Sequence, residues 1–223
     1  DDYRFTFSEL ENAFEKFRRQ LSTNIELKNS KIVAISEAGI LLPIVALIAS
    51  RDAATLIPVA SGLKPDQISK IFEIADPDVV LVTQTLAQKI KDSRFFAKYG
   101  ENVVVVESSV SLTITENRFT RSLKGDLGRD ACSSFIMNFT SGSTGVPKPV
   151  CVAEDTKFER ITSGTQDLFG VDASDITLIS TPQYHSLGLR QSLLPLVTGG
   201  TGVIMSHFSA SNWLSVVEKH QIT

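Results

Sequence analysis

Residues 78–83 read DVVLVT, four apolar side chains in succession with no polar break. A strand with one wet face alternates apolar and polar residues. A strand covered on both faces reads instead as a continuous valine-rich run, the pattern of a parallel sheet between helical layers. Residues 102–107, NVVVVE, repeat it. Toward the N-terminus, KIVAIS at 31–36 and TLIPV at 55–59 are further short β-rich runs. Helical patterns separate them. Ser8 and Glu11 have capping-box spacing, and Leu10, Phe14, Phe17 and Leu21 then recur on one helix face. GILLPIVALIAS at 39–50 reads as a buried helix, with Pro43 early enough for a first turn, where its missing N–H costs little. Pro65 opens another, with Ile68, Ile71, Phe72 and Ala75 on one face. Alternating strands and helices predict an α/β fold, layered α/β/α with a largely parallel sheet and right-handed crossovers.

Toward the C-terminus, residues 108–131 are polar and lack a long period, which predicts a surface connection with one short strand at 110–114. SFIMNF at 134–139 reads as a strand and VCVA at 150–153 as its return. A helix is expected over about 155–169, then strand ITLIS at 176–180, a helix over 187–197, strand TGVIM at 201–205 and a helix from Ser211 through NWLSVVEKH. No internal repeat or low-complexity segment interrupts this order.

Composition excludes several function classes. With 42% hydrophobic and 21% charged residues, 223 residues can bury a substantial core. A net charge of -3 gives no basic footprint, so neither nucleic acid nor an anionic membrane surface is expected as a partner. Cys132 and Cys151 are too few for a disulfide framework and have no zinc-ligand spacing with His185, His207 or His220, which fits a reducing, cytoplasmic setting. The apolar run at 38–49 is well short of the roughly 20 residues that span a bilayer, so no membrane span is expected.

The chemistry concentrates in residues 138–150, NFTSGSTGVPKPV. A Walker loop needs four residues between its first glycine and its Gly-Lys pair; here Gly142 and Gly145 have two residues between them and Lys148 precedes proline. No Gly-x-Gly-x-x-Gly exists either. What remains is general anion-binding physics. Glycines let backbone N–H groups turn inward as a nest, Thr140, Ser141, Ser143 and Thr144 add hydroxyls, and Lys148 adds a mobile point charge. Pro147 and Pro149 lack N–H groups, so the donors lie upstream of them.

FTSGSTGVPKPV closely resembles the phosphate-loop signature of the adenylate-forming superfamily, Thr-Ser-Gly-Ser/Thr-Thr-Gly-x-Pro-Lys-Gly, at all but its last position. That superfamily contains acyl-CoA synthetases, fatty acyl-AMP ligases, luciferases and peptide-synthetase adenylation domains. STPQYHSLGLRQSLLPLVTGGTGVIM resembles its Pro-x-x-His-x-x-Gly segment, and weaker likeness extends upstream through YRFTFSELENAFEKFRRQL and LIPVASGLKPDQISKIFEIADPDVVLV. The resemblance implies that residues 1–223 are the N-terminal portion of the adenylation large domain, stopping before the adenine-binding segment with the metal-ligating glutamate, the ribose-binding aspartate and the small mobile domain. It implies ATP and Mg²⁺ as cofactors, with the metal ligand beyond Thr223. The activity implied is conversion of a carboxylic acid to an acyl-adenylate with release of pyrophosphate, then transfer to the thiol of CoA or a carrier protein. Thr140, Ser141, Gly142, Ser143, Thr144, Gly145 and Lys148 are carried over as nucleotide contacts, with Thr144 and Lys148 catalytic. His185 and Gly188 are carried over to the edge of the carboxylate pocket. Two departures stand out: Pro149 replaces the usual glycine, and SRDAATLIPV alters a surface turn. The alternative reading is a non-catalytic nucleotide- or acyl-binding module on this fold.

The remaining conspicuous residues have bland expectations. Trp213 is expected to pack with Leu214, Val216 and Val217, His207 and His220 to be solvated, and Cys132 and Cys151 to be small core residues. Arg18-Arg19 and Lys89-Lys91 are expected on solvated helix faces.

Overall fold

The computed structural model describes residues 3–23, 25–90, 100–117, 134–140 and 146–223. The chain divides into two compact units, Asp1–Val152 and Ala153–Thr223.

The first unit is built on strands β1 (Lys31–Ser36), β2 (Thr55–Ala60), β3 (Val79–Thr83), β4 (Val103–Val106), β5 (Ile114–Asn117), β6 (Ser134–Thr140) and β7 (Lys148–Ala153). They form one sheet in the order β5-β4-β3-β1-β2-β6-β7. β1 pairs in parallel with both β2 and β3, β3 with β4, and β2 with β6, while β5 turns back antiparallel on β4. Every residue of β3 and β4 is buried, as the unbroken valine runs predict. The physical reason is cover on both faces. Val33, Ile35, Ile57, Val59, Val80, Val82, Val103 and Val105 share a core with Ile68, Ile71, Phe72 and Ala75 of helix α3 (Pro65–Ala75). The alternate residues face the other way, where α2 (Leu41–Arg51) packs on β1 and β2 and buries eight of its eleven residues. Burying a leucine or isoleucine is worth about 1.5–3 kcal/mol each, so α2 is held by packing and not by its ends. Pro43 indeed sits in its first turn.

The opening helix α1 (Phe7–Ser22) buries Phe14, Phe17 and Leu21. Its capping box lies two residues earlier than Ser8 and Glu11: Glu9 N–H donates to Thr6 Oγ1 at 3.2 Å, and Thr6 N–H donates to Glu9 Oε2 at 2.7 Å. Arg18 is not simply solvated. Its guanidinium grips Asp52 through two nitrogens, Nε donating to Oδ2 at 2.7 Å. A short helix that the sequence reading touched only through Lys89-Lys91, α4 (Gln84–Ile90), follows β3 and buries Leu86.

The short strand expected at 110–114 falls instead at β5, 114–117. Residues 108–113 close a turn: Glu107 N–H donates to the Thr113 carbonyl at 2.8 Å, and Ser111 N–H to Ser108 Oγ at 2.9 Å. Hydroxyls that satisfy their own backbone locally compete with a β ladder.

The second unit holds helix α5 (Glu154–Ile161), a π-helical turn (Thr162–Asp167), the parallel pair β8 (Ile176–Ile179) and β9 (Thr201–Ile204), helix α6 (Ser186–Thr198) and helix α7 (Ala210–His220). α6 packs on both strands and ends at Gly199, whose φ of 79° suits a left-handed cap. α7 buries none of its residues; Trp213 and Leu214 are exposed, against the expectation that they pack. A two-stranded sheet offers little surface for a helix to cover. Cys151 is also exposed, because β7 presents almost all its side chains to solvent, whereas Cys132 lies outside the described residues.

Candidate active site

In the first unit, β6 and β7 carry the two ends of the glycine-rich loop. β6 runs parallel to β2, so Thr140 stands at the carboxyl end of the parallel strands, the edge at which open α/β sheets receive ligands. Thr140 Oγ1 donates to the Lys148 carbonyl in a long 3.4 Å hydrogen bond that ties the loop's ends together. Both side chains are exposed. Ser141, Gly142, Ser143, Thr144 and Gly145 lie outside the described residues. Lys148 opens β7 with Pro149 beside it, in the extended conformation that a following proline favours.

The same carboxyl edge carries two polar atoms that sequence reasoning did not single out. Asn138 Oδ1 and Ser36 Oγ are buried and have no hydrogen-bond partner among the described residues. Asn138 lies two residues before Thr140 and therefore on the same face of β6. Such orphans fit the foot of a site that takes a polar ligand. Among the described residues, no group of three or more His, Cys, Asp and Glu could hold a metal ion.

In the second unit, His185 and Gly188 share one tightly wound turn at the start of α6. His185 is the N-cap and is exposed; its ring lies 4.3 Å from that of Tyr184. Its N–H donates to the Pro182 carbonyl at 3.0 Å, and its own carbonyl accepts from Leu189 N–H at 3.0 Å. Gly188 is required here by space: a Cβ would meet the Pro182 oxygen at 2.2 Å and the Thr181 oxygen at 2.5 Å, both backbone atoms.

Three side chains that the sequence did not mark hold this turn. Buried Gln183 donates through Nε2 to Ser192 Oγ at 2.8 Å, and Ser192 Oγ donates to the Gly188 carbonyl at 2.8 Å. From α5, Lys157 Nζ donates to the Ser186 carbonyl at 2.8 Å and lies 3.4 Å from the Ser186 hydroxyl. Burial, reinforced by the nearby charges of Arg190 and Arg160, brings the Lys157 pKa down to about 8.

The parallel sheet with Thr140 and Lys148 at its carboxyl edge agrees with the class that the loop signature resembles, the adenylate-forming α/β enzymes. The chain belongs to the AMP-binding enzyme family, which matches it over residues 1–223. It is 24% identical over 230 residues to 4-coumarate–CoA ligase-like 3 of Arabidopsis thaliana, covering 99% of this chain and 41% of that one. It is 26% identical over 227 residues to 2-succinylbenzoate–CoA ligase of Bacillus subtilis, covering 100% of this chain and 43% of the relative. Among solved structures, O-succinylbenzoate coenzyme A synthetase (MenE) from Bacillus subtilis, in complex with ATP and magnesium ion, matches with a TM-score of 0.74 at 18% identity, covering 100% of this chain and 57% of that one. The chain thus spans less than half the length of these two curated relatives. No helix among the described residues is long and apolar enough to cross a membrane.

Proposed function

We propose that this chain is the nucleotide-handling part of a ligase that activates a carboxylic acid with ATP and passes the acyl group to a thiol of CoA or a carrier protein. A carboxylate oxygen attacks the α-phosphorus of ATP, the bond to the pyrophosphate oxygen breaks, and an acyl-adenylate forms. A thiolate then attacks the acyl carbon and AMP leaves. The protein's task in the first step is positioning and charge stabilisation, for which loop hydroxyls, inward N–H groups and one mobile lysine are suited.

The observation that carries this reading is the tied loop. Thr140 and Lys148 hold its two ends at the carboxyl edge of the sheet, which supports a phosphate-contact role for the hydroxyl-rich sequence between them. Lys148 supplies positive charge to oxygens that gain negative charge in the transition state, and Thr144 a hydroxyl donor. His185 and Gly188 form the rim that receives the acid. Mg²⁺ would neutralise pyrophosphate charge when bound, with its carboxylate ligand proposed beyond Thr223.

The test is carboxylate-dependent ATP–pyrophosphate exchange on the longest encoded protein that contains this chain, across short, long and aromatic acids. Lys148→Ala should cut exchange by at least about 100-fold, the scale of removing one transition-state donor, while leaving the far-UV circular dichroism unchanged. Exchange that no acid supports, in a folded protein, would overturn the enzyme reading in favour of a binding module.

A further inference from the structure

Lys157 is only 1% exposed, yet it is a lysine. Three features of its surroundings oppose a positive charge: burial, the positive end of α6, and the nearby charges of Arg190 on α6 and Arg160 on α5. Among the described residues no carboxylate pairs with it; its hydrogen bonds both go to Ser186. A methionine would fill similar volume without the electrostatic cost. What the lysine provides instead is a strong donor fixed on the first residue of α6, immediately after His185.

That bond completes a clamp. Ser192 of α6 and Gln183 just before it fix the Gly188 end of the turn, the close approach of Gly188 to Pro182 fixes its winding, and Lys157 fixes the Ser186 corner from a separate helix. We infer that Lys157 is a positioning residue for the carboxylic acid: by anchoring Ser186 it holds the His185–Gly188 turn in the orientation that receives the substrate. The inference rests on the proposed carboxylate activation for its meaning. Its geometry can be tested apart from that reaction.

The first arm uses the 223-residue chain and the proton NMR signals of its three histidines. Lys157→Met should shift the His185 Cε1–H resonance and leave those of His207 and His220 in place. Lys157→Arg, which keeps the donor, should restore the His185 signal toward its original position. The second arm uses pyrophosphate exchange by the longest encoded protein. Lys157→Met should raise KM for the acid at least about fivefold while KM for ATP stays within about twofold, the signature of a lost acid contact and not of general damage. In the unmutated protein the acid KM should also climb as pH passes about 8, and this inflection should vanish in Lys157→Met. An unmoved His185 resonance, or acid and ATP KM values that rise together, would overturn the inference. Exchange that is silent with every acid would sink the proposed function, and the histidine spectra would still decide the positioning role. If Lys157→Met loses its dispersed spectrum, Lys157→Gln carries the same comparison.

Discussion

Replacing Lys157 with methionine should make the second unit more stable at neutral pH and should erase part of its pH dependence. An unfolded chain keeps the lysine proton up to 10.5, whereas the native side chain, buried against Arg190 and Arg160, releases it near about 8. Between those values the unfolded state binds more protons, so native stability rises with pH there; below about 8 the native state carries the full cost of the buried charge. At 1.36 kcal/mol per pH unit the gap amounts to at most about 3 kcal/mol, because salt screens the arginine contribution. Methionine forfeits the hydrogen bond to Ser186, worth about 1.5–3 kcal/mol for a charged donor, so the net gain at pH 7 is at most about 1.5 kcal/mol. Near pH 10.5 the advantage should disappear. Trp213 is the only tryptophan and lies on α7, so urea titration followed by its fluorescence reports on the unit that contains Lys157. Parallel pH profiles of the two proteins between pH 7 and 10.5 would refute the assignment of a depressed, buried lysine.

Three further outcomes follow from the packing. Gly188→Ala should destabilise the second unit by about 1–3 kcal/mol, although alanine is the better helix former, because its Cβ must displace the Pro182 carbonyl; a gain in the urea midpoint of Trp213 fluorescence would contradict it. Phe72→Ala, at a fully buried site between α3 and the sheet, should cost about 3–5 kcal/mol in a denaturation followed by far-UV circular dichroism. Thr6→Ala should return the Glu9 carboxyl only part of the way toward its ordinary 4.5, since the Thr6 backbone N–H, the larger cause of the lowering, remains and only the hydroxyl is lost. The stabilisation from that cap is present above the ordinary carboxyl range and is lost as pH falls through the lowered value, and NMR titration of Glu9 reads the change directly.

The sheet was legible because double cover leaves no room for polar residues, so β3 and β4 announce themselves as unbroken apolar runs. Elements that depend on partners distant in sequence were harder to read. Among the described side chains of α4 only Leu86 is buried, too little to set a helical period. The strand β5 sits four residues later than its β-rich run because serine and threonine hydroxyls spend the earlier residues on a turn. Lys157 looks in sequence like one more charge on a solvated helix. Only the packing of α5 on α6 turns it inward. Likewise resemblance marked His185 and Gly188 as candidates, whereas Gln183 and Ser192, which hold their turn, lie nine residues apart and show no pattern.

Pro149 bears on how much a single departure from a family signature should count. The residue lost there is glycine, and a proline in place of it removes an N–H and freezes one backbone angle. In a central strand that would break the ladder. β7, however, is the last strand of the sheet, and edge strands tolerate proline and are protected by it from pairing with other chains. The restriction that Pro149 places on Lys148 favours the extended conformation that residue already has as the first of β7. The substitution therefore stiffens the exit of the loop while leaving the lysine exposed and the tie from Thr140 in place. A departure that removed the tie or buried the lysine would argue for a module that has lost its chemistry; this one changes only the freedom of the strand that carries it.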